Sequence, residues 1–194
     1  MTGHPAPMRA DAQRNRVRVL EAAEEVLARD GRSASMRAIA EQAGVGLGTL
    51  YRHFPNRRAL HEAIVIDRGR RLLATAEALA TADDPGPALF GYLTRFCETT
   101  AQNKMLTEML DVPDAGYPVG TNEFEDIKYG IRGAVETLLA RARRSGAIRP
   151  ELAAPEVLFV MKGLCLAVAD EEDDPELRAK ALAVVFDGLR ARST

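Results

Sequence analysis

Gly44 separates two short runs of helical periodicity, and this break constrains the chain more than any other feature. Upstream, Met36, Ile39, Ala40 and Ala43 recur at helical spacing behind Ser35, a residue type that caps helix N-termini. Downstream, Val45 reads as an apolar plug. Gly46 to Phe54 then reads as a second short helix, with Leu50 and Phe54 on one face. Glycine at the join permits the positive φ that a side chain resists. Two short helices on a tight turn, with a third starting just after them, make the pattern of a helix-turn-helix. In that motif the second helix enters the DNA major groove.

The charge distribution points the same way. Residues 1–71 carry 13 Arg and no Lys against eight acidic residues, a balance of +5. Residues 72–194 carry 13 Lys and Arg against 20 acidic residues, a balance of −7, and the two halves make the chain's −2. A basic N-terminal part on an acidic body is the footprint of nucleic-acid binding confined to one end. A length of 194 residues suits one large domain or two small ones. At 46% apolar and 28% charged the composition is that of a globular protein. No apolar run reaches bilayer length. The opening MTGHPAPMRADAQR lacks the apolar centre of an export signal, so a cytoplasmic location is expected.

Periodicity along the chain predicts an all-α fold of about nine helices. Residues 1–10 read as a disordered arm. A helix follows from about Asp11 to Arg29, with Val19, Leu20, Ala23, Val26 and Leu27 as its stripe. After the helix-turn-helix, Asn56 caps a long helix running to about Ala82. The run Asp83-Asp84-Pro85-Gly86-Pro87 reads as a break. Further helices are expected around Leu89–Thr100, Met105–Leu110, Phe124–Ala142, Pro155–Ala169 and Leu177–Leu189, with a loop over residues 111–120. The expected division is an arm at 1–10, a three-helix DNA-binding head at 11–70, and a helical effector-binding and dimerisation domain at 71–194.

Over roughly residues 14–62 the chain resembles the TetR family of bacterial transcriptional regulators. The resemblance rests on the stripe before Gly31, on SMRAIAEQAGV, and on GTLYRHFPNRRAL. Two positions depart from the family pattern. Gly46 stands where Ser or Thr is usual, which removes a side-chain cap. Arg57 stands where Lys is usual, which replaces a point charge with a fork.

The resemblance implies phosphate contacts from Ser35, Tyr51, His53 and Arg57, which would set register rather than sequence. Base reading would fall to Arg37, Leu47, Thr49 and Arg52. Arginine can bond guanine O6 and N7 together, and Leu or the Thr methyl can touch a thymine methyl. Gly48 would let backbone approach the duplex closely. Arg9, Arg14, Arg16 and Arg18 are further phosphate or minor-groove candidates. Blander readings stand beside these: Tyr51 as packing, His53 as a surface imidazole, Gly48 as a tolerated helix glycine and Arg18 as a solvated helix residue.

A lone helix-turn-helix reads few base pairs, so a homodimer on a palindromic operator is expected. The helix at 155–169 is apolar almost all round and is the candidate interface with the last helix. Leu158, Met161, Cys165, Leu182, Val185, Phe186 and Leu189 are the expected contacts. The alternative is a central core helix in a monomer. The resemblance also implies an effector pocket between Pro85 and Ala169. Its candidate walls are Phe90, Leu93, Phe96, Cys97, Met105, Met109, Tyr117, Phe124, Ile127, Ile131 and Met161. Their apolar character suits a hydrophobic or amphipathic small molecule. The implied role is repression, relieved when ligand favours a form with wrongly spaced reading heads, and the long helix is the natural lever.

Other classes find less support. His4, His53 and His61 fall in no metal spacing, and neither a phosphate loop nor GxSxG occurs, so no enzyme and no cofactor are expected. Asp170 to Asp174 lacks the spacing of a calcium loop and reads as a solvated turn before Pro175, a residue suited to a first helical position. Cys97 and Cys165, too few for a disulfide framework, offer a redox-responsive regulator as the alternative function, set against two buried cysteines acting as small apolar groups.

Overall fold

The computed structural model describes residues 6–101, 122–170 and 174–191. Eight α-helices occur among them: α1 (Ala6–Asp30), α2 (Met36–Ala43), α3 (Leu47–His53), α4 (Arg57–Leu79), α5 (Pro85–Ala101), α6 (Asn122–Arg144), α7 (Ala154–Asp170) and α8 (Pro175–Leu189). No strand runs among the described residues. A β-bridge, Ile148 to Arg190, ties the turn after α6 to the end of α8. The helix expected at 105–110 and the loop at 111–120 lie outside the described residues.

Two helix starts correct the reading of the sequence. Residues 6–10, read as disordered arm, open α1. The DDPGP run, read wholly as a break, contains the start of α5 at Pro85. The reason is the same in both. Proline in a first helical turn removes only N–H groups that have no partner in the helix, so Pro7, Pro85 and Pro87 are tolerated there.

The chain divides into two compact units, Met1–Val65 and Ile66–Thr194, and the boundary falls inside α4. In the first unit, α1 buries Val19, Leu20, Ala23 and Val26. α2 buries Ile39, Ala40 and Ala43, and α3 buries Leu50. Phe54 and the α4 residues Leu60, Ala63 and Ile64 complete this core. In the second unit, α5 packs on α6 and α7, and α7 packs on α8. Leu89, Tyr92, Leu93, Phe96 and Cys97 of α5 meet Val135, Leu138 and Leu139 of α6 and Val157, Met161 and Cys165 of α7 in one buried cluster. Close approach in this unit depends on Gly69, where a Cβ would lie 2.6 Å from Ile127 Cγ2.

The α2–α3 turn is built from local signals and one distant side chain. Ser35 Oγ accepts from the Ala38 N–H at 3.1 Å, capping α2. Gly44 adopts φ +62° and ends it. The Gly44 N–H donates to the Glu41 carbonyl at 3.1 Å and the Val45 N–H to the Ala40 carbonyl at 3.0 Å, the paired bonds of a Schellman motif. Arg18 reaches from α1 and donates through Nη2 to the Ala43 carbonyl at 2.6 Å. A Cβ on Gly44 would lie 2.8 Å from that nitrogen. Arg18, offered above as a phosphate contact or a solvated residue, is thus committed to holding α2.

Gly44→Ala is expected to destabilise the protein by about 1–2 kcal/mol, because a Cβ resists the left-handed backbone. Arg18→Ala should cost about 1.5–3 kcal/mol for a charged hydrogen bond. The double variant should fall short of the sum by at least about 0.5 kcal/mol, since the Arg18 side chain is what the new methyl meets. Urea denaturation followed by circular dichroism measures all three, and strict additivity would contradict this reading of the turn.

Candidate nucleic-acid interface

The inward residues of α3 determine which residues face out. With Leu50 and Phe54 buried, Gly48, Tyr51 and Arg52 are exposed and Thr49 and His53 are half-buried. Thr49 and Arg52 are three residues apart and Gly48 and Arg52 four, so they share a helical face. On α2, Ser35 and Arg37 are exposed. A Cβ on Gly48 would meet nothing within 4 Å, so that stretch of backbone is open. Gly46 begins α3 with no side-chain cap, as its lack of a hydroxyl dictates. Leu47 is only half-exposed and packs partly against the head core, so it offers a partner less surface than its neighbours.

Past α3, Asn56 Oδ1 accepts from the Ala59 N–H at 2.8 Å and caps α4. Arg57 is exposed at the start of α4, and its Nε donates to His61 Nε2 at 3.4 Å. Arg58 pairs with Glu62 at 2.9 Å. The arginines of α1 differ from one another. Arg14 pairs with Asp11. The Arg16 guanidinium lies 5.6 Å from the centre of the Phe54 ring, a cation–π contact that steadies the end of α3. The Arg9 side chain lies outside the described residues.

The expected effector-site residues fall in the second unit. Leu93, Phe96, Cys97 and Met161 are in its buried cluster, and Phe90 and Ile131 pack against that cluster. Ile127 is buried facing Gly69. Met105, Met109 and Tyr117 lie outside the described residues. Phe124 lies within α6, with its side chain likewise outside them.

The expected interface residues need correction. Met161, Cys165, Leu182 and Leu189 are buried within the chain and have no surface for a second copy. Leu158, Val185 and Phe186 pack partly against the same core, and the Phe186 ring sits 4.9 Å from that of Phe90. The apolar side chains facing outward are Phe159 (79% exposed) and Val160 (47%) on α7, and Leu177 (50%) and Val184 (73%) on α8. A helix apolar all round carries no periodic signal of its inner face.

His61 is held below the ordinary histidine value of 6.5 by burial and by the Arg57 charge. Between that lowered value and 6.5, the unfolded chain binds a proton that the folded chain does not. Stability is therefore complete above about pH 6.5 and declines as the pH falls through this window. His61→Gln should flatten that part of the pH–stability curve. Thermal melts between pH 5 and 8 check this, and an unchanged slope in the variant would contradict it.

Known proteins resemble the chain in both of its units. Residues 19–64 match the family model described as bacterial regulatory proteins, tetR family. Residues 84–191 match that of the transcriptional regulator SbtR-like C-terminal domain. The HTH-type transcriptional regulator UidR of Escherichia coli K12 is 43% identical over 68 residues, 34% of this chain. That match spans only 35% of UidR's length. The TetR transcriptional regulator SCO0520 of Streptomyces coelicolor is 31% identical, with 92% of this chain and 99% of that one covered at a TM-score of 0.71. A TetR regulatory protein of Mycobacterium vanbaalenii is 33% identical, with 95% and 100% covered at a TM-score of 0.70. No helix among the described residues is long and apolar enough to cross a membrane.

Proposed function

The chain belongs to the TetR family of DNA-binding transcriptional regulators, and from that membership we propose a repressor that grips a palindromic operator as a dimer and releases it when a small hydrophobic or amphipathic effector binds. The observation that carries this reading is the outward face of the α2–α3 unit. On this reading Arg37, Thr49 and Arg52 would meet base edges, and Ser35, Tyr51, His53 and Arg57 would meet phosphates. Leu47 and Gly48 would make close apolar and backbone contact. The proposed chemistry is binding alone, with no catalysis and no cofactor.

The exposed stripe of Phe159, Val160, Leu177 and Val184 supports the dimer. Large apolar groups on adjacent helices lose more by facing water than by facing a second copy, and a two-fold axis presents the same patch twice. The effector reading draws on one further feature. The Tyr92 hydroxyl is buried and has no hydrogen-bond partner among the described residues. It is a polar group that an amphipathic ligand entering this core would meet. Ligand and DNA then oppose each other by linkage, typically by 1–3 kcal/mol in either direction.

Selection of genomic fragments by the purified protein tests the reading. A short palindrome is expected, with affinity falling steeply as salt rises. No enrichment at low salt, before and after refolding to strip bound ligand, would refute it. Arg52→Ala should weaken binding to the selected site by about 1–3 kcal/mol and relax the preference at one base pair per half-site. Phe159→Asp should convert the dimer to a monomer in analytical ultracentrifugation while leaving helix content unchanged. A variant that remained dimeric would place the interface elsewhere.

A further inference from the structure

Arg57 and Arg58 open α4 side by side, and each meets the residue four positions on. Arg58 pairs with the Glu62 carboxylate at 2.9 Å. Arg57 donates through Nε to His61 Nε2 at 3.4 Å. The two partners act differently on the cation. A carboxylate holds a guanidinium and offsets its charge. An imidazole that accepts at Nε2 is the neutral form, with its proton on Nδ1, and holds a guanidinium without offsetting it. His61 is half-buried, and Leu60, Ala63 and Ile64 of the same stretch lie in the head core. Burial and the Arg57 charge keep the imidazole neutral near neutral pH. The setting gives the arginines no local reward. The first turn of a helix is the positive end of its dipole, and the first turn of α4 holds both arginines and no acid. An anion at that place meets the helix end and the Arg57 guanidinium together.

From the bond between them, we infer that His61 is a positioning residue for DNA: by accepting from Arg57 Nε it narrows the orientations of an exposed guanidinium and leaves its charge to act on a backbone phosphate. The half-buried imidazole is the steadier of the two groups, so it can aim the exposed one. The residue type at 57 fits this division of labour. Arginine has a separate Nε to serve the imidazole while its Nη groups serve a phosphate. Lysine, which the resemblance makes usual here, has a single nitrogen for both tasks.

This inference rests on the operator-binding reading, in which Arg57 meets a phosphate, and adds to it the residue that aims the contact. A side-chain contact between positions four apart on a helix shifts an equilibrium by about twofold. A dimer engaging two half-sites should therefore lose about two- to fivefold in affinity when residue 61 no longer accepts.

The test measures, by fluorescence anisotropy at several salt concentrations, the affinity of full-length protein and its variants for the selected DNA fragment. His61→Leu should weaken binding by the two- to fivefold just given. His61→Gln, whose amide oxygen is a neutral acceptor, should recover most of that loss. His61→Glu should bind more weakly than His61→Leu, since its carboxylate holds the guanidinium and offsets it. Gln and Glu are nearly isosteric, so their contrast stands even if Leu disturbs the packing. Arg57→Ala should lower the salt slope by about one per half-site. In that background His61→Leu should cost nothing further. A packing role for His61 would reverse the order, with Leu retaining more affinity than Gln, and that order would overturn the inference. So would an undiminished effect of His61→Leu in the absence of Arg57, or an Arg57→Ala variant with unchanged affinity and salt slope. Failure of the unaltered protein to bind any fragment would overturn the operator reading, and this inference with it.

Discussion

The bond from Arg18 to the Ala43 carbonyl is the contact on which the reading head depends. It joins the middle of α1 to the last turn of α2, where the helix would otherwise leave that carbonyl unpaired. A Cβ at residue 44 would crowd the Arg18 guanidinium that makes it. The same glycine adopts the left-handed backbone that turns the chain toward α3. One residue thus satisfies two requirements, a conformational one and a steric one. Once α2 is held and the turn is made, Leu50 and Phe54 can both be buried, and the face bearing Thr49 and Arg52 is left outward. Which residues face DNA is, on this account, a consequence of which residues the head must bury.

That chain of causes was legible in the sequence to different depths. Ser35, Gly44 and Asn56 act on backbone within three residues of themselves, so their residue types announced their roles. Arg18 acts 25 residues away, and nothing in local spacing distinguishes it from the arginines beside it. Arg16 presents the same difficulty, since its contact with Phe54 is made only by the folded head. The residue types said where α2 starts and stops and where α4 starts. They did not say which surface arginine turns inward.

In the second unit the apolar stripes located the helices, and their limit shows on α7. Val157, Met161 and Cys165 follow one another at four-residue steps and point into the core. Phe159 and Val160, equally apolar, point away. A sequence apolar on both sides cannot tell its inner face from its outer one, because the inner face is chosen by what α5 and α8 bring to it. Cys97 and Cys165, 68 positions apart in the chain, join one buried cluster only through that packing.

The central claim is that the outward α2–α3 face, presented twice by a dimer, reads DNA. Hydroxyl-radical footprinting on the selected fragment tests it most directly. The account predicts two equivalent patches of protected backbone related by a two-fold axis, with centres separated by about 34–36 Å or a multiple of it. Both patches should fade together in Arg52→Ala at a protein concentration that saturates the unaltered site. A single unsymmetrical patch, or a footprint indifferent to Arg52, would contradict it.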